Sequence, residues 1–338
     1  MTTRTRTDTE AATGPISLRP SHGGADLDDL VEIFNAANRA DHIDERLSRA
    51  GLGNWLLSVT PTYDPQRDLV VAELGGRMVG YGGTAWVDTT DGRRDYVTRG
   101  MVHPDWRRRG VGAAILRHNE ARLRELSASH DTERERAYLA FAPERRIGAV
   151  ALLTGSGYQR VRYFFDMVRP TLDGVEVPAL PEGLELRPIV GREGLRRIFD
   201  ADAEAFMDHW GGFDASDQSF ERWAADPDLE PEMILAAWDG DQIAGAVVNI
   251  INVEENRQLG HLRGLLDSVF VRRPWRGRGL GYALVMASLA LLRDRGMTSA
   301  VLGVDADNPS GALRLYEKAG FAVDVRSTAY RKPMEMDR

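Results

Sequence analysis

Two short stretches combine glycine and arginine in a pattern that can hold a phosphorylated ligand. They span residues 101–112 and 269–281, and each has an apolar run before the turn and a helical pattern after it. Glycine lets the backbone approach a bulky anion, and the N–H groups that begin a helix then point at that anion. Each stretch is therefore predicted to be a strand, a pyrophosphate-binding turn and a helix start.

The two turns belong to a longer internal repeat. Aligned on their turns, the two halves share matched pairs on both sides: Trp106 with Trp275, Gly110 with Gly279, Gly112 with Gly281, Gly157 with Gly320. A repeat of about 160 residues indicates a duplicated domain rather than a solenoid unit. We predict a disordered tail over 1–15, an N-terminal domain over 16–169, a linker over 170–183 and a C-terminal domain over 184–335.

Each half alternates predicted strands and helices, which favours a mixed α/β class. The predicted strands include 16–19, 69–74, 184–187, 233–238 and 300–304, and the predicted helices include 27–40, 192–207 and 309–318. A further helix follows the second turn, with an apolar stripe at Leu280, Ala283, Leu284, Ala287 and Leu291. Three prolines in the segment 170–183 indicate an extended connection.

The composition excludes several classes of protein. The chain has 338 residues, 43% of them hydrophobic, and a net charge of −8, which argues against disorder and against general binding to nucleic acids or membrane surfaces. It contains no cysteine, which excludes disulfides, thiolate metal sites and a cysteine nucleophile. Seven scattered histidines predict no metal site. We recognise neither a signal peptide nor a membrane-spanning segment in the sequence, and therefore expect a cytoplasmic protein.

The motifs resemble those of the GNAT superfamily of acyl-CoA-dependent N-acyltransferases. The family pattern Arg-x-x-Gly-x-Gly occurs at Arg276 and again at Arg107, and Asn308 is followed by the family-like run Leu-Tyr-Glu-Lys-Ala-Gly-Phe that contains Tyr316. The resemblance implies two tandem GNAT-like domains, each a mixed central sheet flanked by helices. The tandem arrangement is similar to that of mycothiol synthases.

The resemblance also implies acetyl-CoA as co-substrate and a set of residues that bind it. The strand would offer its backbone to the pantetheine arm, the turn would cradle the pyrophosphate, and Asn308 would bind a pantetheine amide or else cap a helix. The implied cofactor-binding residues are Val269, Phe270, Val271, Arg276, Gly277, Arg278, Gly279, Leu280, Gly281, Asn308 and Ser310.

Two residues are the main catalytic candidates. In the family a tyrosine at the position of Tyr316 protonates the departing thiolate; the alternative is a tyrosine of the core. Asp267, at the strand before the turn, is a candidate base for the acceptor amine. His261, Glu254 and a chain of waters remain alternatives.

The two halves differ at the positions nearest the chemistry. Leu153 aligns with Tyr316, and Arg145 aligns with Asn308. The C-terminal half is therefore predicted to be catalytic. The N-terminal half is then structural, shapes the acceptor cleft, or binds cofactor without turnover. For Trp106 and Trp275 we favour packing beneath the turns over contact with substrate.

The leading hypothesis is an N-acetyltransferase that moves an acetyl group directly from acetyl-CoA to a primary amine of a small molecule. The alternatives are acetylation of an amino-sugar thiol precursor, as in mycothiol synthases, and a non-catalytic acyl-CoA-binding scaffold. A kinase is disfavoured because neither turn continues into Gly-Lys-Ser/Thr. The acidic segment 200–217, with His209 and Trp210, either lines the acceptor site or is a solvated surface. A monomer is compatible with the tandem arrangement.

Overall fold

The computed structural model describes residues 14–131, 133–207, 209–308 and 311–335, so most of the predicted tail over 1–15 lies outside the described residues. The strands are β1 (Ile16–Pro20), β2 (Leu69–Leu74), β3 (Arg77–Asp88), β4 (Arg93–Val102), β5 (Glu135–Pro143), β6 (Gln159–Arg169), β7 (Glu185–Arg187), β8 (Ile234–Asp239), β9 (Gln242–Ile250), β10 (Arg263–Val271), β11 (Ser299–Asp305) and β12 (Ala322–Pro333). The helices are α1 (Leu27–Ala40), α2 (Arg49–Leu57), α3 (Pro65–Asp68), α4 (Val111–Ala128), α5 (Ile147–Gly155), α6 (Gly191–Phe206), α7 (Asp217–Ala224), α8 (Val253–Leu259), α9 (Leu280–Asp294) and α10 (Ala312–Lys318). The mixed α/β class is confirmed.

The strands join into one twelve-stranded sheet with the order β1-β2-β3-β4-β5-β12-β6-β11-β10-β9-β8-β7. Neighbouring strands are antiparallel except for β4 with β5 and β10 with β11, which are parallel. The last strand of each half is exchanged. Strand β12 lies between β5 and β6, and β6 lies between β12 and β11. The two halves therefore share a continuous sheet rather than lying side by side.

The exchange brings residues of the first half into the second. Strand β6 pairs with β11 in a register that sets Asp166 opposite Gly303 and Met167 opposite Leu302. The segment 170–183 then contains neither helix nor strand, but Leu172 and Val175 are buried in the same cluster as the α9 side chains. This connection is packed against the core of the second half over part of its length.

Helix α9 forms the centre of the largest apolar cluster. Of the predicted stripe, Leu280, Ala283 and Leu284 are fully or almost fully buried, whereas Ala287 and Leu291 are half-buried. Helix α6 covers a second cluster, through Ile198 and Ala201. No helix among the described residues is both long enough and apolar enough to cross a bilayer.

The two glycine turns have matching backbones. Gly110 and Gly279, which precede α4 and α9, have φ values of 86° and 85°. Two residues earlier, Gly277 has φ 74° and Arg108 has φ 63°. A left-handed conformation is open to glycine but costs energy in a residue with a Cβ. The N-terminal turn therefore carries strain at Arg108 that the C-terminal turn avoids.

Replacing Arg108 by glycine is expected to stabilise the protein. Relief of the left-handed strain exceeds the entropy cost of a glycine, so the free energy of unfolding should rise by roughly 0.5 to 1 kcal/mol. Chemical denaturation of the purified chain measures this change. Arg109→Gly is the matched control, because Arg109 has no positive φ and stacks over Trp106 at 4.8 Å. Equal effects of both variants would contradict the explanation.

Candidate functional site

A cavity opens where β10 and β11 separate. The two parallel strands pair only from Arg263–Leu266 and Ser299–Leu302, although β10 continues to Val271 and β11 to Asp305. A space of about 1190 Å³ lies at this divergence, lined by residues of β10, the C-terminal turn, α9, β11 and α10. Strand β6 and the end of α6 supply the remaining wall. Because the strands part here, backbone groups of β10 beyond Leu266 face the cavity instead of β11.

Asp267 is placed in the cavity by a β-bulge. The pairing of β10 with β9 shifts register between Leu266 and Ser268, which makes Asp267 the extra residue of β10. A bulge of this kind re-aims a side chain. The Asp267 side chain is exposed and faces the cavity, whose walls surround it with protein. Desolvation therefore raises its pKa to about 6, and the negative charge of Asp226 adds to the shift.

The C-terminal turn is held in place by hydrogen bonds to the backbone around it. Arg276 Nε donates to the Val271 carbonyl at 2.9 Å, and Arg276 Nη2 donates to the Ala205 carbonyl at 3.1 Å. Trp275 is buried beneath the turn and donates from Nε1 to Asp239 Oδ2 at 2.9 Å. Trp275 thus packs beneath its turn, and it also borders the cavity.

Gly281 keeps the start of α9 open. A Cβ at this position would lie 3.2 Å from Leu315 Cδ1 and 3.6 Å from Val271 Cγ2, at the edge of the cavity. Together with the left-handed glycines and the N–H groups that begin α9, this forms a cradle without side chains. Such a cradle fits a pyrophosphate.

Most of the predicted site residues border this one cavity. They are Asp267, Val269, Phe270, Val271, Arg276, Gly277, Gly279, Leu280, Gly281, Asn308 and Tyr316. Arg278 does not; its Nη2 donates to the Glu182 carbonyl at 3.3 Å. Ser310 lies outside the described residues.

Tyr316 and Asn308 lie on the α10 side of the cavity. Tyr316 is 6% exposed, packs edge-on against Phe321 with ring centroids 6.1 Å apart, and burial raises its pKa above the ordinary value. The phenol is therefore neutral at physiological pH and available as a proton donor. Asn308 does not cap α10, because the N-cap residue is Gly311.

The alternative bases lie away from the cavity. His261 Nε2 lies 3.3 Å from Asp44 Oδ2, in the loop between α1 and α2. Glu254, on α8, accepts hydrogen bonds from Arg257 and Gln258. Neither residue borders the space where β10 and β11 diverge.

The acidic segment 200–217 contributes aromatic rather than acidic groups to the cavity. Phe206 and His209 line it, with their rings stacked at 3.9 Å. The described carboxylates of the segment have partners elsewhere: Asp202 with Ser268, Glu204 with Arg272, Asp214 with Ser219, and both Asp200 and Asp217 with Arg196. Trp210 is buried and donates to Asp91. Asp208 is outside the described residues.

Two charged residues of the cavity, Asp166 and Asp305, are not among the predicted site residues. Asp166 reaches the cavity from β6, a strand of the first half, because the exchange sets β6 beside β11. The sequence around Asp166 does not predict that it reaches the cavity, because the pairing of β6 with β11 joins residues more than a hundred positions apart.

The N-terminal turn is arranged differently. The Arg107 guanidinium forms two hydrogen bonds with Asp41, at 2.6 and 2.9 Å, and Arg146 Nε lies 3.5 Å from the same carboxylate. Strand β4 pairs with β3 in unbroken register from Gly80–Val102 to Asp88–Arg94, so it lacks the bulge of β10. Here a carboxylate neutralises the charge of the arginine that matches Arg276.

Comparison with known proteins agrees with this geometry. The family model described as "Acetyltransferase (GNAT) family" matches residues 27–152 and 195–321. The mycothiol acetyltransferase of Frankia casuarinae is 29% identical over 93% of this chain and 97% of its own length. That of Geodermatophilus obscurus is 32% identical over 77% of this chain and 81% of its own length.

A solved structure shows the same architecture. The GCN5-related N-acetyltransferase from Sphaerobacter thermophilus superimposes with a TM-score of 0.69 and 25% identity, over 96% of this chain and 98% of its own. The two family matches, one in each half, account for the repeat and for the paired glycine turns. This chain therefore belongs to the GNAT acetyltransferase family, with two GNAT domains in tandem.

Proposed function

We propose that the C-terminal half transfers an acetyl group from acetyl-CoA directly to a primary amine of a small molecule. The observation that carries the proposal is that a carboxylate, Asp267, and a neutral phenol, Tyr316, border the same cavity as the glycine cradle. Acyl transfer to an amine needs a group that accepts the amine proton and a group that protonates the leaving thiolate. In this cavity Asp267 can accept the amine proton and Tyr316 can protonate the thiolate.

The chain's own residues fit acetyl-CoA as the donor substrate, whose thioester supplies the activated acetyl group. Gly277, Gly279 and Gly281 leave room for a pyrophosphate at the start of α9, where N–H groups and Arg276 provide positive potential. The β10 backbone beyond Leu266 is free of β11 and can bind an extended chain in the manner of an added strand.

In this proposal Asp267 takes the proton of the attacking amine and Tyr316 gives its proton to the sulfur. Asp267 is ionised above pH about 6, and Tyr316 stays protonated because burial raises its pKa. The two groups thus hold opposite protonation states at neutral pH, as a base and an acid must. The chain contains no cysteine, which agrees with direct transfer rather than a thioester-linked enzyme intermediate.

A second candidate acceptor comes from the relatives. Those of Frankia and Geodermatophilus are named mycothiol acetyltransferases, and the first is similar over nearly its whole length. This favours the amine of an amino-sugar thiol precursor as an acceptor to be tried beside simpler primary amines.

The experiment is a transfer assay with the purified chain, acetyl-CoA and a panel of primary amines that includes an amino-sugar thiol. Release of free thiol and the mass of the product are both measured. Amine-dependent thiol release with an N-acetylated product is expected. Tight acetyl-CoA binding with no transfer to any amine would support the acyl-CoA-binding scaffold instead.

Asp267→Asn is expected to change the pH dependence of transfer. In the unaltered chain kcat/KM should fall below pH about 6, because the carboxylate must be deprotonated to act as a base and protonation removes it. The variant should lose this limb and be about tenfold slower at pH 8. Asp202→Asn is the control, since Asp202 has its own raised pKa of about 7 but binds Ser268 outside the cavity lining. A limb that survives in Asp267→Asn and disappears in Asp202→Asn would assign the base to Asp202.

A further inference from the structure

The exchanged strand gives the cavity a second carboxylate. Asp166, on β6 of the first half, borders the same space as Asp267, on β10 of the second half. Without the exchange, β6 would not neighbour β11 and the cavity would be built from the C-terminal half alone. The N-terminal half thus contributes a charged side chain to a site whose cofactor residues all lie elsewhere.

Register fixes how the two carboxylates are related. Leu266 pairs with Leu302, which pairs with Met167. Beyond that row Gly303 still pairs with Asp166, whereas Asp267 lies where β10 has left β11, and Gly303 has no side chain to separate the two acidic residues. Paired strands lie roughly 4.8 Å apart, so two spacings set about 10 Å as the smallest separation of the two backbones.

Neither carboxylate is neutralised by a direct partner. Across the described ranges, no hydrogen bond or ion pair joins a side chain to the carboxylate of Asp166 or Asp267. Asp324 and Arg145, whose charges act on Asp166, pair with each other at 2.9 Å, and Glu45 is a further carboxylate that interacts with Asp166. Asp305 also borders the cavity, but Arg162 Nε binds both of its oxygens at 2.8 and 2.9 Å.

Aromatic side chains also line the cavity. Phe164 lies on β6 two residues before Asp166, and Phe206 closes the α6 side. Apolar walls suit a hydrocarbon or sugar-ring spacer, and partial desolvation strengthens the attraction between a carboxylate and a cation.

We propose that the acceptor carries a second cationic group, which Asp166 binds while the reacting amine lies at Asp267. The inference rests on the proposed function and narrows its acceptor to a diamine or polyamino compound. Asp166 is then a specificity-determining residue supplied by the half of the chain that does not hold the cofactor.

The test compares acceptors that differ only in the second amine. Diamines from trimethylenediamine to hexamethylenediamine are assayed with acetyl-CoA against the n-alkylamines of the same lengths. The ratio of kcat/KM for diamine to monoamine should increase with chain length and reach about tenfold to a hundredfold at six carbons, the usual range for a charge-assisted contact. Most of the difference should lie in KM, because Asp166 is remote from the reacting bonds.

Asp166→Asn should reduce that ratio to about one. Asp324→Asn is the matched control, because it removes the same charge nearby but outside the cavity lining, and the ratio should persist. Titration of hexamethylenediamine into the enzyme–CoA complex gives a readout independent of turnover, and weaker binding is expected for Asp166→Asn alone.

Three outcomes would overturn the inference. Equal use of monoamines and diamines by the unaltered chain would refute the second cation while leaving the proposed function intact. An equal loss of preference in Asp166→Asn and Asp324→Asn would reduce the effect to general electrostatic attraction. Absence of transfer to any amine would refute the proposed function and the inference together.

Discussion

Gly281→Glu is expected to weaken acetyl-CoA binding by at least about a hundredfold. The new Cβ would be 3.2 Å from Leu315 and 3.6 Å from Val271, so the rest of the side chain has to extend into the cavity. Its carboxylate would then occupy the cradle that favours a pyrophosphate, adding repulsion to the loss of space. Calorimetric titration of the purified chain with acetyl-CoA measures the affinity and the number of sites.

Gly112→Glu is the matched control, at the same position of the N-terminal turn. A Cβ there would meet Leu152 at 3.4 Å and Val102 at 3.8 Å, so the local steric change is similar. We expect about one site per chain, lost in Gly281→Glu and retained in Gly112→Glu. Two sites in the unaltered chain, one surviving each substitution, would show that both turns bind cofactor.

The expectation of a single site rests on the ion pair at Asp41. A carboxylate that binds both Nη atoms of Arg107 neutralises the positive charge of this arginine, so the N-terminal turn attracts a pyrophosphate less strongly. A ligand that bound the Arg107 guanidinium would have to displace that pair and leave Asp41, which is 9% exposed, with only the longer contact to Arg146 at 3.5 Å. Removing one member of a buried pair is costly, which opposes binding at this turn.

The sequence allowed the turns to be predicted because their chemistry is local. Left-handed positions call for glycine, and the helix start that follows is defined by a few consecutive residues, so Gly279 and Gly281 could be recognised without tertiary information. A position shortly before the strand also made His261 a candidate base, but His261 does not border the cavity. A strand advances about 3.3 Å per residue, so a residue six positions before Asp267 lies roughly 20 Å away along the chain direction. A residue that precedes Asp267 by only a few positions along a strand can therefore lie far from it in space.

The features missed by the sequence depend on pairing between distant strands. Nothing around Asp166 shows that β6 leaves its own half, because the register with β11 is decided by the whole sheet. The bulge at Asp267 is likewise a property of how β10 meets β9, and a run of nine residues with β-type character does not reveal which one is unpaired. Motifs thus predicted the glycine turn, whereas the positions of Asp166 and Asp267 depended on the fold.

Tyr316→Phe is expected to lower kcat by about tenfold to a hundredfold and to leave acetyl-CoA affinity within about twofold. Within the described residues the Tyr316 hydroxyl makes no hydrogen bond, and the ring keeps its contact with Phe321, so the substitution removes little except the proton. Without a proton donor for the departing thiolate the activation barrier is higher, and each tenfold loss of rate corresponds to roughly 1.4 kcal/mol.

Tyr282→Phe is the control, because this tyrosine also borders the cavity but lies in the first turn of α9, and the kcat of this variant should stay within about twofold. Single-turnover measurements separate the chemical step from product release, and calorimetry monitors affinity. If kcat for Tyr316→Phe matches the unaltered chain when chemistry limits the rate, the phenol is a core residue and the thiolate takes its proton from water.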